Sequence, residues 1–328
     1  MRLLVVKTSS LGDVLHALAA LSDAARAVPG LQCDWLVEET FAEIPGWHPA
    51  VQRVIPCALR RWRRDIRGTR ASGEWARFKQ ELRRERYDLV IDAQGLLKSA
   101  WLASQARGPL AGPGFGSARE PLAALFYRRR LKIAQRENAH AVNRLRQLFA
   151  QALDYPLPQT VADFGLTRGR FPAPSSPQPY AVFLHATTWP SKQWPLAHWQ
   201  QLGRDLRAQG FEIVLPWGAP AEREQAQKIA AAFGGRVAER QTLTQLAGLL
   251  AHAKLVVGVD TGLSHLAAAL ATPSLTLYGP TLPALTGTVG AHQIHLRSSQ
   301  DETIDRDRPT TVSVETVLSA LRGLAARA

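Results

Sequence analysis

The sequence predicts an α/β protein with two domains, each built on a doubly wound parallel sheet. Strand-like apolar runs alternate with helical segments, and this alternation stops once, at a proline-rich stretch, before it starts again. A length of 328 residues, of which 46% are hydrophobic, is enough for two cores. Regular alternation favours parallel sheets, which bind ligands at the carboxyl ends of their strands.

The first domain is predicted to span residues 1–165. Its opening helix ends at Pro29 and Gly30, a common helix stop. The predicted elements of this domain are strands at 3–6, 33–38, 51–55 and 89–92, and helices at 11–27 and 74–86.

Residues 166–179 hold four prolines without periodicity and are predicted to be a linker. A second domain is predicted at 180–311, followed by an amphipathic helix within 312–328. The elements predicted in the second domain are strands at 180–185, 212–216, 254–259 and 274–278, and helices at 196–209, 225–233, 243–251 and 263–270.

Charge is distributed unevenly between the two halves of the chain. Residues 1–170 hold 27 Lys and Arg against 16 Asp and Glu, which leaves only +2 of the net +13 for the rest. This asymmetry indicates an acidic partner for the first domain, although an arginine-rich genome composition is an alternative explanation. Without a zinc finger, an RNP-like aromatic pattern or a clear recognition helix, we do not expect nucleic acid to be that partner.

Targeting and redox signals are weak. The apolar runs are far shorter than the roughly 20 residues that span a bilayer, and the N-terminus does not have the pattern of a signal peptide. Cys33 and Cys57 form no CxxC pair, so neither a disulfide framework nor a cysteine metal site is expected. These features predict a protein of the cytoplasm.

Polar residues at four predicted strand ends are the candidate functional groups. Asp13 follows the first strand and is either a general base or a helix cap, with His16 one turn further on. In the second domain, a helix start or a hydroxyl next to a lysine suits a diphosphate, and a glutamate suits a ribose diol. The residues of these three strand ends are Thr187, Thr188 and Lys192; Glu222; and Asp260, Thr261, Gly262 and His265. Taken singly, each also has a structural explanation as a cap, a turn or a core residue.

These motifs, in this order, resemble the lipopolysaccharide heptosyltransferase family. Within that family, the sequence is most similar to the members that add the first heptose to the Kdo residues of the inner core. The resemblance covers almost the whole chain, and the segments that carry it are 6–16, 34–39, 60–63, 91–95, 118–122, 183–188, 215–220 and 259–265.

The resemblance implies a GT-B fold, in which two Rossmann-like domains face a central cleft and the terminal helix crosses back to the first domain. It implies an inverting transfer of heptose from ADP-L-glycero-β-D-manno-heptose to Kdo2-lipid A, at the cytoplasmic face of an anionic inner membrane. No metal or other cofactor is expected, because no DxD-like pair follows a suitable strand. A later-acting core heptosyltransferase and a non-catalytic anion- or membrane-binding GT-B protein remain as alternatives.

The resemblance also implies a role for each candidate residue. Asp13 is expected to be the general base and Glu222 to contact the ribose. The residues expected at the donor phosphates and sugar are Thr187, Thr188, Lys192, Asp260, Thr261, Gly262 and His265. The residues expected to bind the acceptor are Arg60, Arg61, Arg64, Lys98 and Arg119. For these five, an ordinary solvated charged surface is the alternative.

Overall fold

A computed structural model describes residues 1–174, 178–298 and 304–325. The chain divides into two compact units, Met1–Gly165 and Leu166–Ala328. Parts of the predicted linker (175–177), second domain (299–303) and terminal helix (326–328) lie outside the described residues.

The first unit is a six-stranded parallel sheet in the order β3-β2-β1-β4-β5-β6. The strands of this sheet are β1 Arg2–Val6, β2 Gln32–Glu38, β3 Val51–Cys57, β4 Leu89–Asp92, β5 Leu110–Pro113 and β6 Arg129–Leu131. Its helices are α1 Leu11–Ala27, α2 Leu59–Trp62, α3 Ile66–Ala71, α4 Glu74–Leu82, α5 Leu97–Ala103 and α6 Ala141–Leu153.

The second unit repeats this arrangement, with the strand order β12-β11-β10-β7-β8-β9. The strands of this second sheet are β7 Tyr180–Leu184, β8 Glu212–Leu215, β9 Arg236–Val237, β10 Leu255–Val259, β11 Ser274–Tyr278 and β12 Gln293–Arg297. Its helices are α7 Leu196–Ala208, α8 Pro220–Ala230, α9 Leu243–Ala251, α10 Gly262–Ala269, α11 Pro283–Thr286 and α12 Val314–Ala325.

The α/β class and the two parallel sheets confirm the predicted fold class. Both sheets reverse their strand order beside the first strand of the unit, between β1 and β4 in one and between β7 and β10 in the other. Ligands of open α/β sheets bind at such switch points, outside the carboxyl ends of the strands. Each unit therefore has one preferred edge for a ligand.

The proline-rich segment is packed on the second unit over part of its length. Arg168 donates to the carbonyl oxygen of Ala251, and His252 bonds the carbonyl of Phe171, whose ring is buried. A Cβ added at Gly248 would lie 2.3 Å from the carbonyl oxygen of Pro172, so the two backbones touch. Up to Pro172 the segment is thus fixed rather than a free linker.

The terminal helix α12 also belongs to the second unit. Its apolar face, formed by Val317, Leu321 and Leu324, is buried in the core of that unit and packs on α7 and β11. This packing differs from the predicted one, in which the helix crosses back to the first domain. The amphipathic pattern predicted a helix with one buried face, but not the surface that covers it.

Candidate active site

The first candidate edge lies where β1 and β4 end side by side. Val6 is in register with Asp92, so the loops that follow the two strands are neighbours. The side-chain oxygen of Gln94 accepts hydrogen bonds from the backbone N–H groups of Thr8 and Ser9, at 3.2 and 3.4 Å. This amide therefore holds the loop that leads into α1.

Asp92 is fully buried below this edge and fixes the second loop. One of its carboxylate oxygens accepts from the backbone N–H of Gln94, and the other from the hydroxyls of Ser99 and Tyr127. Burial raises the pKa of Asp92, while these hydrogen bonds act in the opposite direction. Asp92 is a structural carboxylate, since its hydrogen bonds are all within the unit.

Asp13 lies in the first turn of α1, directly above the end of β1, and is partly exposed. Its Oδ2 accepts from the backbone N–H of Ser10 at 3.0 Å and from the Ser10 hydroxyl at 2.9 Å. The Nζ atom of buried Lys7 lies 3.6 Å from Oδ1. The sequence left a cap and a base as alternatives, and the geometry shows a carboxylate that caps the helix and still reaches solvent.

The charge state of Asp13 follows from these neighbours. Burial opposes its ionisation, but Lys7 and the Ser10 hydrogen bonds hold the pKa of Asp13 well below its usual range. Burial lowers the pKa of Lys7, and Asp13 and Asp92 counteract that effect. Asp13 is consequently a carboxylate at neutral pH, able to accept a proton but only a weak base.

The predicted acceptor-binding residues divide into two groups. Arg119 lies close enough to Lys7 to lower its pKa, and Arg119 backbone atoms pack on Gly95, so this residue belongs to the edge that carries Asp13. The others lie on α2 or α5 or follow α2, and Arg60, Arg64 and Lys98 are exposed. Arg61 is already paired with Glu39 and Glu74, which reduces the charge it offers to a ligand.

The second candidate edge joins the ends of β7, β10 and β11. Asp260, directly after β10, is buried and its Oδ2 accepts from Lys192 at 2.6 Å and from the Thr281 hydroxyl at 2.7 Å. The ring of His265 lies 3.7 Å from the other carboxylate oxygen. Burial opposes ionisation, but His265 and Lys192 hold the pKa of Asp260 well below its usual range.

The start of α10 lies beside this carboxylate. Thr261 is the N-cap residue and Gly262 the first helical residue, and no side chain among the described residues caps the helix. Unsatisfied N–H groups at a helix start attract anions. The predicted Lys192, Asp260, Thr261, Gly262 and His265 thus come together at one strand edge.

Thr187, Thr188 and Glu222 are less closely tied to this cluster. The two threonines lie in the loop after β7, with Thr188 exposed. Glu222 caps α8, because its Oε2 accepts from the N–H groups of Gly218 and Ala219 at 2.7 and 3.1 Å. The helix-cap interpretation of Glu222 therefore describes the present structure, and its contact with a ribose remains a prediction.

Four residues of the second edge were not among the predicted site residues. Thr281 bonds Asp260, and Trp189 lies beneath two cations, with Lys192 and Arg306 at 4.8 and 5.2 Å from its ring centre. Thr310 anchors the segment of Arg306, since its N–H and hydroxyl both donate to the carbonyl of Ser191. Trp189 directly follows the predicted Thr187 and Thr188, whereas the segment from 304 to 310 has no periodic signal.

Two parallel sheets, each with polar residues gathered at its switch point, are typical of nucleotide-sugar-dependent transferases. The model of glycosyltransferase family 9 (heptosyltransferase) matches residues 75–314. The chain belongs to this family and is therefore a glycosyltransferase.

Among individual heptosyltransferases, the chain is more similar to two proteins named heptosyltransferase 1 than to one named heptosyltransferase 2. Lipopolysaccharide heptosyltransferase 1 of Pseudomonas aeruginosa is 57% identical over 91% of this chain and 84% of its own, and the Escherichia coli K12 protein of that name is 49% identical over 93% and 96%. The structure of E. coli heptosyltransferase WaaC with ADP has a TM-score of 0.91 and 46% identity over 99% of this chain and all of that one. Lipopolysaccharide heptosyltransferase 2 of E. coli is more distant, at 28% identity over 87% of this chain and 85% of its own. The fold is that of the GT-B heptosyltransferases.

Two further findings concern the described residues alone. Over 1–174, 178–298 and 304–325, no helix has both the length and the apolar character needed to cross a membrane. In the same ranges, no three His, Cys, Asp or Glu residues are grouped as a metal site would require.

Proposed function

We propose that the protein transfers L-glycero-D-manno-heptose from ADP-heptose to a Kdo residue of Kdo2-lipid A, with inversion at the anomeric carbon. The observation that carries this proposal is the pairing of Lys192 and Asp260 beside the uncapped start of α10, in a chain whose fold matches that of E. coli heptosyltransferase WaaC with ADP. A lysine and helix N–H groups at this edge suit the diphosphate of the donor.

The reaction needs a proton acceptor and a place for the departing charge. A Kdo hydroxyl attacks the anomeric carbon from the face opposite ADP, the bond from that carbon to the phosphate oxygen breaks, and the hydroxyl proton passes to Asp13. The low pKa of Asp13 fits a late transfer, after the forming oxocarbenium-like centre has made the hydroxyl acidic. Lys192 and the start of α10 stabilise the charge on ADP.

The acceptor assignment is supported by charge and by relatedness. Arg119 lies at the edge that carries Asp13, and exposed Arg60, Arg64 and Lys98 suit the Kdo carboxylates and lipid phosphates. The higher identity to the heptosyltransferase 1 proteins favours the first heptose over a later one. The protein acts, in this proposal, at the cytoplasmic face of the inner membrane, without a metal cofactor.

An acceptor panel tests the proposal. ADP release is measured with ADP-heptose and either Kdo2-lipid A or the same acceptor already carrying one heptose. Turnover with the first acceptor alone is expected. Turnover only with the heptosylated acceptor would assign a later step, and no turnover by folded protein that binds ADP would favour a non-catalytic anion-binding role.

A further inference from the structure

Several large apolar side chains of the first unit lie at its surface. Ile66 on α3 is 58% exposed, Trp101 on α5 is 43% exposed, and Leu122 and Leu125 are 58% and 62% exposed. Single exposed apolar residues are ordinary, but neighbouring ones mark an interaction surface. We name these four residues, with Leu97, the apolar surface.

The members of the apolar surface are held on adjacent elements. Leu97 and Trp101 are one helical turn apart on α5, and α5 packs against the 3₁₀ segment Pro121–Phe126 that carries Leu122 and Leu125. Ala123 and Ala124 of that segment are buried in the core, so the two leucines stand on its outer side. The exposure is therefore fixed by the fold and not by a loose chain end.

A groove of about 290 Å³ continues the surface towards α3. Its walls are aromatic: the rings of Trp75 and Trp101 are stacked at 5.2 Å, and Trp62 meets Trp75 edge to face. The other lining residues are Leu59, Arg63, Ile66, Thr69 and Arg70. The floor of this groove accepts an apolar chain, and its rim accepts an anion.

Most charges around the apolar surface are positive, with the carboxylate of Glu120, which accepts from the backbone N–H of Leu97, as an exception. Arg63, Arg64, Arg67 and Arg70 form no ion pair with any carboxylate of the described residues, and exposed Lys98 follows Leu97. Asp65, the acid within this run, is used to cap α3. Apolar and tryptophan side chains surrounded by unpaired cations have the chemistry of a protein that lies in the interface of an anionic bilayer.

We propose that the apolar surface is a lipid-docking site, which inserts Leu122, Leu125, Trp101 and Ile66 into the headgroup region of an anionic phospholipid bilayer. The groove between Trp62 and Trp101 takes a lipid chain, and the arginines bind phosphates. Its biological setting rests on the proposed function, which needs a membrane-bound acceptor, but binding to the bilayer does not require transfer.

Co-sedimentation with vesicles tests the insertion. Wild-type protein is expected to bind vesicles containing phosphatidylglycerol and to bind pure phosphatidylcholine poorly. L122S/L125S should lower the partition coefficient about tenfold, because two leucines no longer leave water. The matched control is V161S/L196S, which removes apolar side chains that are 79% and 42% exposed elsewhere. Equal binding of L122S/L125S and wild type would overturn the proposal.

A second variant keeps the test decisive if the first folds poorly. R63Q/R67Q/R70Q should weaken binding to phosphatidylglycerol vesicles and flatten its dependence on salt, since each basic residue contributes about fivefold near an anionic leaflet. R204Q/R207Q/R322Q, in the second unit, is the charge-matched control and should bind as wild type. Equal losses in both triple variants would show attraction by net charge alone and contradict a defined site.

Turnover separates this proposal from the proposed function. L122S/L125S should retain wild-type kcat with a water-soluble, deacylated Kdo acceptor and lose activity only with acceptor in vesicles. Vesicle binding by a protein that transfers no heptose would contradict the proposed function and support the docking site. Transfer without vesicle binding would do the reverse.

Discussion

At the scale of single residues, Asp13 caps a helix and is also the general base of the proposed function. Its carboxylate closes the first turn of α1 through Ser10, and Lys7 keeps it ionised. These two roles were alternatives in the sequence, because a carboxylate at a helix start serves as a cap as readily as it serves as a base. Only the geometry shows that the carboxylate of Asp13 caps the helix and still remains accessible, as a base must be.

Replacing the proposed base should abolish most activity without unfolding the protein. We expect Asp13→Asn to lower kcat by about 10²–10⁴-fold, because the amide still accepts from Ser10 but cannot take a proton. ADP release and circular dichroism measure the two properties. Asp65→Asn, which changes an exposed cap on α3, is the control; activity of Asp13→Asn near that of the control would remove Asp13 from the mechanism.

Asp260 makes stability depend on pH in a defined direction. Its pKa in the folded protein lies below the ordinary 3.8, so its contribution is complete above that value and is lost as pH falls towards the folded pKa. Thermal unfolding should show wild type more stable than Asp260→Asn above about pH 5, with the difference shrinking below pH 4. A difference that stayed constant with pH would contradict the ionised, paired carboxylate.

Some residues of the candidate site had no sequence signal. Lys192 and Asp260 were predicted separately, and the register of β7 with β10 brings them together. Thr281 and Gln94 act through single hydrogen bonds from loops, and such contacts leave no periodic pattern. Residue type and strand-end position could be predicted from the sequence, but partners across strands could not.

At the scale of elements, the strands with continuous apolar runs were predictable, whereas β5, β6, β9 and β12 were not. The central strands β1, β4, β7 and β10 are short continuous apolar runs, which is typical of parallel sheets. In contrast, β5 contains Gly112 and Pro113, both poor strand formers. Tertiary packing explains the glycine, since a Cβ there would meet the Tyr127 ring at 2.5 Å.

Helix predictions differed most at their ends. The predicted helix at 225–233 begins earlier, as α8 Pro220–Ala230, because proline is well suited to the first helical turn and Glu222 caps it. The charged helix predicted at 74–86 ends at Leu82. Helix α6 was not predicted although Val142, Leu145 and Phe149 follow a helical period, so its signal was present in the sequence.

The terminal helix α12 should stabilise the second unit through its buried face. Leu321→Ala is expected to lower the free energy of unfolding by about 2–4 kcal/mol, through lost burial and the cavity that remains. Denaturant unfolding measures the change. Ser319→Ala, on the exposed face of the same helix, should have little effect; equal stabilities of the two variants would show that α12 is not part of the core.

At the scale of the whole molecule, the same architecture occurs twice and carries different chemistry each time. Each unit has a single switch point, and polar residues gather there in both. The first unit has a carboxylate at its switch point and carries most of the positive charge of the chain. The second unit has a lysine and an uncapped helix start at its own switch point. The fold class could be predicted from the alternation of strands and helices along the chain. The different roles of the two units could be predicted only from the site residues and the family resemblance.

Hydrogen exchange can assign the nucleotide to one unit. ADP should slow exchange in residues 186–192, 260–265 and 279–281, because these segments form the edge around Asp260, and should leave residues 8–16 unchanged. Adenosine is the control and should protect the start of α10 less, since it has no diphosphate. Protection centred on residues 8–16 instead would contradict the assignment of the donor to the second unit.

The amide of Gln94 holds the loop that leads to Asp13, the proposed base. This uncharged side chain positions the backbone that leads to Asp13, yet it contacts neither the carboxylate nor Lys7 through any hydrogen bond of the described residues. A shorter or longer side chain at position 94 would hold the loop before α1 differently without altering the charge of Asp13. Natural variation or directed evolution at this position could therefore retune the enzyme to acceptors whose hydroxyl lies at a slightly different depth.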